Sequence, residues 1–251
     1  MTTSQQTASD NRLQRYFAQI DKRGLWTSSK SLRYSFERLF ERVPLAGKSL
    51  LDIGAGTGLA SVYAAAAGAK RVVALEPEAA GSSSGMIDTA AELAEAAQVD
   101  EVERKALTFQ AYDAGGEVFD VVLLHNSINH LDEQACIHLR DDPKARQTYV
   151  GLGRRLAELI RPGGWLIIAD ATCSNLYPAL GMRNPLQPSI EWHKHQAPET
   201  WAALLSEVGF ADPYIRWSSF NRFGRAGRLL LGNKLAAYFL MGHFMLTMRR
   251  K

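Results

Sequence analysis

The run Leu50-Leu51-Asp52-Ile53-Gly54-Ala55-Gly56-Thr57-Gly58 constrains this chain more than any other stretch. A short apolar strand, Ser49 to Ile53, passes through three alternate glycines into an alanine-rich helix, Leu59 to Ala67, with Gly68 as its stop. Glycine reaches turn angles that a Cβ forbids and lets main chain approach a ligand closely. A helix beginning there offers unpaired N–H groups and a positive dipole end to an anion such as a carboxylate. In an open α/β sheet such a turn sits at the carboxyl end of a strand, where ligands bind at the point of strand-order reversal.

The rest of the chain agrees with that architecture. Apolar runs at Arg71 to Leu75, Leu107 to Gln110, Phe119 to Leu124 and Trp165 to Asp170 read as further strands. Helices at Met86 to Ala97 and Tyr149 to Ile160 alternate with them, and Pro162-Gly163-Gly164 reads as a turn. Strands this apolar are buried on both faces by crossover helices, which predicts a parallel sheet. Beyond the irregular stretch Ala171 to Gln196, a helix spans Glu199 to Val208. Two β-like runs, Tyr214 to Phe220 and His243 to Met248, then pair antiparallel at one edge, with a helix over Gly227 to Met241 between them. The predicted fold is α/β: a doubly wound, mostly parallel, seven-stranded Rossmann-like sheet with an antiparallel edge strand. Amphipathic helices at Arg12 to Ile20 and Ser31 to Val43 precede it. The expected division is a tail and helical cap over residues 1–47 and the sheet domain over 48–251, with polar Met1 to Asn11 frayed.

Charge and cysteine content exclude several classes. The 251 residues carry 29 basic and 26 acidic side chains, too small an excess for a nucleic-acid binder. Cys136 and Cys173 are the whole cysteine complement and cannot build a disulfide framework or a four-cysteine zinc site. They read as small buried groups in a reducing, cytoplasmic compartment. No uninterrupted apolar stretch reaches the roughly 20 residues of a spanning helix. The basic residues are unevenly placed: from Arg216 onward stand Arg216, Arg222, Arg225, Arg228, Lys234, Arg249, Arg250 and Lys251, with no acid. That basic C-terminus points to an anionic acceptor or a weak membrane-surface contact.

Two cofactor classes fit a glycine loop of this kind. A dinucleotide fingerprint needs glycine or alanine three places after Gly56, and that position is Leu59. The run instead resembles motif I of the class I S-adenosylmethionine-dependent methyltransferases, an acid followed by Gly-x-Gly-x-Gly. The resemblance extends from Lys48 to Asp170, through Glu76-Pro77 closing the second strand, Asp113 after the third, the Phe119-Asp120-Val121-Val122 strand and the Arg161-Pro162-Gly163-Gly164-Trp165 turn. It implies S-adenosylmethionine as cofactor, with Gly54, Ala55, Gly56 and Gly58 against it and Asp52 complementing its ammonium. It further implies that Glu76, beside Pro77, accepts the ribose hydroxyls. Asp113 accepts the adenine amino group with Tyr112 against the ring, and His125 and Asn126 line the methionine end.

Such enzymes align an acceptor with an activated methyl group, and a hydroxyl acceptor gains from a general base worth ~10²–10⁴-fold. Histidine suits that task. His130, on the segment after the fourth strand, resembles in placement a histidine of many small-molecule members, and His195 is the second catalytic candidate. His193 and His195 point the same way if their segment is extended. A metal pair there is set aside for want of a partner carboxylate, so no metal is expected and His193 is a substrate-pocket candidate. In the cap, Tyr16 and Trp26 are substrate-binding candidates, and Arg33 stands beside them. The resemblance thus implies methyl transfer to a small-molecule acceptor, at oxygen with nitrogen left open. The alternatives are a non-catalytic cofactor-binding regulator and a nicotinamide-dependent oxidoreductase.

Overall fold

The computed structural model describes residues 3–78, 84–218 and 224–251. It divides into two compact units, Met1–Leu124 and His125–Lys251. The first holds helices α1 (Thr3–Arg23), α2 (Ser29–Leu39), α3 (Leu59–Ala66) and α4 (Met86–Ala97). Its strands are β1 (Ser49–Ile53), β2 (Arg71–Leu75), β3 (Val102–Lys105) and β4 (Phe119–His125), whose last residue opens the second unit. The second holds α5 (Glu133–Ile137), α6 (Pro143–Glu158), α7 (Leu176–Ala179), α8 (Pro198–Glu207), α9 (Gly224–Leu231) and α10 (Lys234–Phe239). Its strands are β5 (Ile160–Ala171), β6 (Phe210–Trp217) and β7 (His243–Arg250). The seven strands take the order β3-β2-β1-β4-β5-β7-β6. β1 runs parallel to β2 and β4, and β2 parallel to β3. β7 runs antiparallel to both β5 and β6, so the antiparallel pairing falls at this end of the sheet as expected, with β6 as the outer strand.

In the first unit every residue of β1 is buried, as is every residue of α3 from Ala60 to Ala66. Alanine serves here because α3 lies between the sheet strands β1 and β2 and the helices α1 and α4, and only small side chains allow so close an approach. The one large α3 side chain on the cap side, Tyr63, makes ring contacts with Tyr16, Phe17, Phe36 and Phe40. These contacts fasten both cap helices to the sheet layer. The polar N-terminus is helical from Thr3 rather than frayed. Ser9 donates to the carbonyl of Ala66 at 2.8 Å and Arg12 pairs with Glu101 at 2.7 Å, which holds the first turns down.

Several expected boundaries are corrected. Residues Leu107 to Gln110 form a turn, in which Ala111 and Tyr112 donate to the carbonyl of Thr108, and the third strand is instead Val102–Lys105. Only Val102 of that edge strand is buried, so its Glu-Arg-Lys tail hides it from any search for two-faced apolar runs. The helix expected from Tyr149 starts at Pro143, where Asp142 accepts from the N–H of Lys144 at 2.8 Å and proline fills the first helical turn. Pro162-Gly163-Gly164 lies within β5 rather than in a separate turn, with Gly163 at φ +72°. β6 starts earlier than expected and carries a bulge between Ala211 and Tyr214, while residues 219–220 of the expected run lie outside the described residues. The single helix expected over Gly227 to Met241 is two, split at Asn233, whose side chain caps Ala236 at 2.9 Å.

The basic C-terminus is no loose tail either. Arg249 stacks on Trp165 at 4.1 Å, and Arg250 donates to the carbonyls of Ala157 and Gly209 at 3.0 and 2.9 Å. Arg222 lies outside the described residues.

Candidate active site

At the carboxyl ends of β1 and β2 the glycine loop folds back on the sheet. Gly54 and Ala55 both donate to the carbonyl of Leu75 at 2.9 Å, and Gly58 donates to Ala55 at 2.9 Å. Gly54, Gly56 and Gly58 all have positive φ, so the turn needs the residue type found at each. Gly58 has a second reason. A Cβ there would stand 2.5 Å from the Cβ of Ala90, where α4 crosses the loop.

The two acids act on this loop differently. Glu76 Oε2 accepts from the N–H of Gly56 at 2.7 Å, so the carboxylate closing β2 fixes the loop's centre. Asp52 is buried; its Oδ2 accepts from Ser61 Oγ at 2.6 Å, while its Oδ1 has no hydrogen-bond partner among the described residues. Burial pushes its pKa from 3.8 to about 7, the Glu76 charge adds to the rise and the Ser61 hydroxyl opposes it. A buried carboxyl with an unmet oxygen is costly alone and fits a cationic ligand group.

A stability test follows from that shift. The folded-state value lies above the unfolded one, so the folded chain keeps a proton that the unfolded chain releases. Stability therefore falls as pH rises from about 4 toward 7, with a limiting slope of about 1.4 kcal/mol per pH unit from this group. Asp52→Asn cannot titrate and should lose this component. Urea midpoints of both chains measured between about pH 5 and 7 should diverge, and parallel pH profiles would mean Asp52 is not held uncharged.

The other expected positions of the first unit divide between core and surface. Tyr112 is buried with Lys105 Nζ 5.3 Å from its ring centre, and burial raises its pKa. Exposed Asp113 caps a turn, accepting from Gly115 N–H at 2.8 Å, and Pro77 is exposed. Tyr16 is 0% accessible and donates to the carbonyl of Leu59 at 2.9 Å, which makes it a core residue of the cap. Trp26 is exposed between α1 and α2, and Arg33 lies over the Phe17 ring at 4.1 Å.

In the second unit His125 closes β4, and burial lowers its pKa against an opposing pull from Asp170. Asn126 follows at φ +56°, donating to the carbonyl of Ala169 at 2.7 Å. His130 stands in a 3-10 turn with its side chain 58% accessible and Nδ1 2.6 Å from Glu133. Lys194 bridges Glu133 and Glu191 beyond it, so His130 belongs to a surface ion network. The segment Glu191 to His195 is not extended: Trp192–Lys194 form a 3-10 turn. That turn leaves His193 exposed and turns His195 inward, so the expected parallel aim of the two histidines is lost.

His195 is 13% accessible, with Nδ1 3.2 Å from Asp170 Oδ1. Asp170 is buried, accepts from Ala171 N–H through Oδ1 at 2.7 Å, and has Oδ2 without a partner among the described residues. His243, which opens β7 opposite Ala171, joins them. Burial pushes its pKa down to about 4 although Asp170 favours its charged form; His195 and His125 oppose that charge. Asp170 and His243 were not singled out by sequence. Among the described residues no group of three or more His, Cys, Asp or Glu side chains could hold a metal ion.

A cavity of about 510 Å³ begins within two residues of both members of that pair, at Thr172 and Ala197. Its other walls are Ser174, Trp217, Leu235, Tyr238 and the Lys234–Glu199 ion pair, closed at 2.5 Å.

The sequence profile of a family described as "Methyltransferase domain" matches residues 27–213, most of the chain. The chain belongs to this methyltransferase family. No curated protein sequence matches it significantly. Among solved structures, the methyltransferase domain is similar to an S-adenosylmethionine-dependent methyltransferase from Aquifex aeolicus at 14% identity, covering 93% of this chain and 98% of that one with a TM-score of 0.60. An S-adenosylmethionine-dependent methyltransferase from Mesorhizobium loti aligns at 17% identity over 88% and 98%, TM-score 0.58. The N-methyltransferase NodS from Bradyrhizobium japonicum WM9 aligns at 14% over 87% and 97%, TM-score 0.52. At these identities the likeness concerns the fold of the methyltransferase domain. In the described residues no helix is long and apolar enough to cross a membrane.

Proposed function

We propose that this methyltransferase domain uses S-adenosylmethionine to methylate a small-molecule acceptor, at oxygen, with His195 as the base. The observation that carries the cofactor assignment is the buried, unpartnered Oδ1 of Asp52 behind a glycine loop pinned by Glu76. Bound cofactor supplies a methyl group already activated on a sulfonium. The chain's own part is to hold and align. Gly54, Ala55, Gly56 and Gly58 offer bare main chain, Asp52 complements an ammonium, and Glu76 keeps its second oxygen outside the Gly56 bond for ribose hydroxyls. Adenine falls to Asp113, with Tyr112 packed beneath.

On the acceptor side, the second unit favours His195 over His130. His130 is largely solvated and held by Glu133, whereas His195 is screened from water beside a buried carboxylate. Asp170 Oδ1 stands 3.2 Å from Nδ1 without a hydrogen bond to it in this geometry, so the carboxylate supports His195 by its charge when the imidazole takes a proton from a hydroxyl. The adjoining cavity has the size and aromatic lining of a small-molecule site. His195→Ala should lower kcat by roughly 10²–10⁴-fold while leaving S-adenosylhomocysteine affinity unchanged. Formation of S-adenosylhomocysteine from S-adenosylmethionine across an acceptor panel reads the first quantity and calorimetry the second. A wild-type chain that takes up no S-adenosylhomocysteine would overturn the proposal, and full activity of the variant would remove His195 from it.

A further inference from the structure

The cavity of about 510 Å³ lies wholly within the second unit, and four places in the chain supply its wall. Thr172 and Ser174 follow β5, Ala197 and Glu199 stand at the start of α8, Trp217 ends β6, and Leu235 and Tyr238 lie on α10 beside Lys234. The Trp217 ring is held in place. Its residue pairs with Phe244 in the register of β6 against β7, and the buried Phe244 ring meets it edge-on at 6.4 Å. Thr172 is held as firmly, its N–H donating to the carbonyl of Gly242 at 2.7 Å and its Oγ1 accepting from Ser174 N–H at 3.3 Å. A cavity of this size walled by anchored rings favours a planar aromatic ligand.

Charge narrows the class further. The wall holds one base and one acid, and they are spent on each other, Lys234 Nζ standing 2.5 Å from Glu199 Oε1. Its other polar side chains, Thr172, Ser174 and Tyr238, carry uncharged hydroxyls. A charged ligand would shed hydration on entering and meet a pair whose fields cancel, so nothing offsets that cost. An uncharged hydroxyl compound loses less hydration and finds hydroxyl partners in the wall. We infer that this cavity takes the methyl acceptor as an uncharged aromatic hydroxyl compound stacked on Trp217, with the Lys234–Glu199 pair excluding charged analogues. An aromatic hydroxyl stays protonated at neutral pH, as tyrosine does with its pKa of ~10, and so enters uncharged. It belongs at the Thr172 and Ala197 end, two residues from Asp170 and His195 respectively. That the ligand is an acceptor rests on the methyl-transfer proposal, whereas its chemical class rests on the wall alone. The class departs from the anionic acceptor suggested by the basic C-terminus, because Lys234, the member of that set in the wall, is already paired.

The test is calorimetric titration of the full chain with three ligands of one ring system, 2-naphthol, 2-naphthoate and 2-naphthylmethylammonium. 2-Naphthol should bind saturably, and each charged analogue at least about 10-fold more weakly. Trp217→Ala should weaken 2-naphthol by about 10-fold to 100-fold, while Trp217→Phe should keep most of the affinity. Glu199→Gln leaves Lys234 unopposed and should tighten 2-naphthoate by about 5-fold; Lys234→Met should do the same for the ammonium, and neither should move 2-naphthol as far. Both positions are exposed, so circular dichroism and the thermal midpoint of these two variants should match wild type. No saturable uptake of 2-naphthol, a charged analogue bound as tightly, or an unchanged 2-naphthoate affinity in Glu199→Gln would each overturn the inference. A separate titration with S-adenosylhomocysteine keeps the two readings apart. Uptake of 2-naphthol without S-adenosylhomocysteine would sink the methyl-transfer reading and support the ligand class, whereas the reverse pattern would sink this inference alone.

Discussion

Glu76→Ala should weaken S-adenosylhomocysteine binding by about 100-fold to 1,000-fold, the loss of one or two hydrogen bonds to a charged acceptor. Two effects add. Removing the carboxylate takes away the acceptor proposed for the ribose, and it releases the N–H of Gly56, which Glu76 now holds at 2.7 Å. The loop then loses its fixed geometry before any ligand arrives, so part of the cost is paid as ordering on binding. Glu76→Gln separates the terms, since an amide oxygen can keep the Gly56 bond while giving up the charge. It should recover part of the affinity. Calorimetric titration of the three chains reads the series, and an unchanged Kd in Glu76→Ala would exclude the ribose assignment.

Gly58→Ala should destabilise the protein by about 2–5 kcal/mol, from a left-handed backbone with a Cβ (~1–2 kcal/mol) and a steric overlap in a packed layer (~1–3 kcal/mol). The backbone stands at φ +72° and the added carbon would lie 2.5 Å from Ala90 Cβ. Gly85 provides the control, with φ +76° and open space around the same added atom. Gly85→Ala should show the conformational cost alone. Ala90→Gly in the Gly58→Ala background should return the steric part, so the double-mutant cycle isolates the loop–helix contact. Urea unfolding at fixed pH gives the four values, Ala90→Gly alone included to close the cycle. Equal losses at Gly58 and Gly85 would mean that α4 yields to the new methyl and the close approach is not rigid.

The boundaries that were legible are those carried by local chemistry. β1, β2 and α4 lie where their apolar runs and helical spacing put them, and six of the seven strands overlap the runs that predict them. β3 does not, because an edge strand buries one face and Val102-Glu103-Arg104-Lys105 reads as surface. The start of α6 is marked by Asp142-Pro143, a capping acid before a proline, while its large apolar side chains begin only at Tyr149. On the site, the glycine loop and both its acids stood in one readable order because a strand, a turn and a helix N-terminus are contiguous in sequence.

What the amino-acid order determined by itself is the α/β alternation and the position of the bare main chain that faces a ligand, since both follow from residue type and spacing within a few turns. Tertiary structure alone decided that Asp52 keeps an oxygen without a partner and that His195 turns onto Asp170. It also decided that His243 joins them. Those outcomes depend on burial and on the register of β7 against β5, which brings residues more than seventy positions apart to neighbouring places; no local pattern encodes such a meeting.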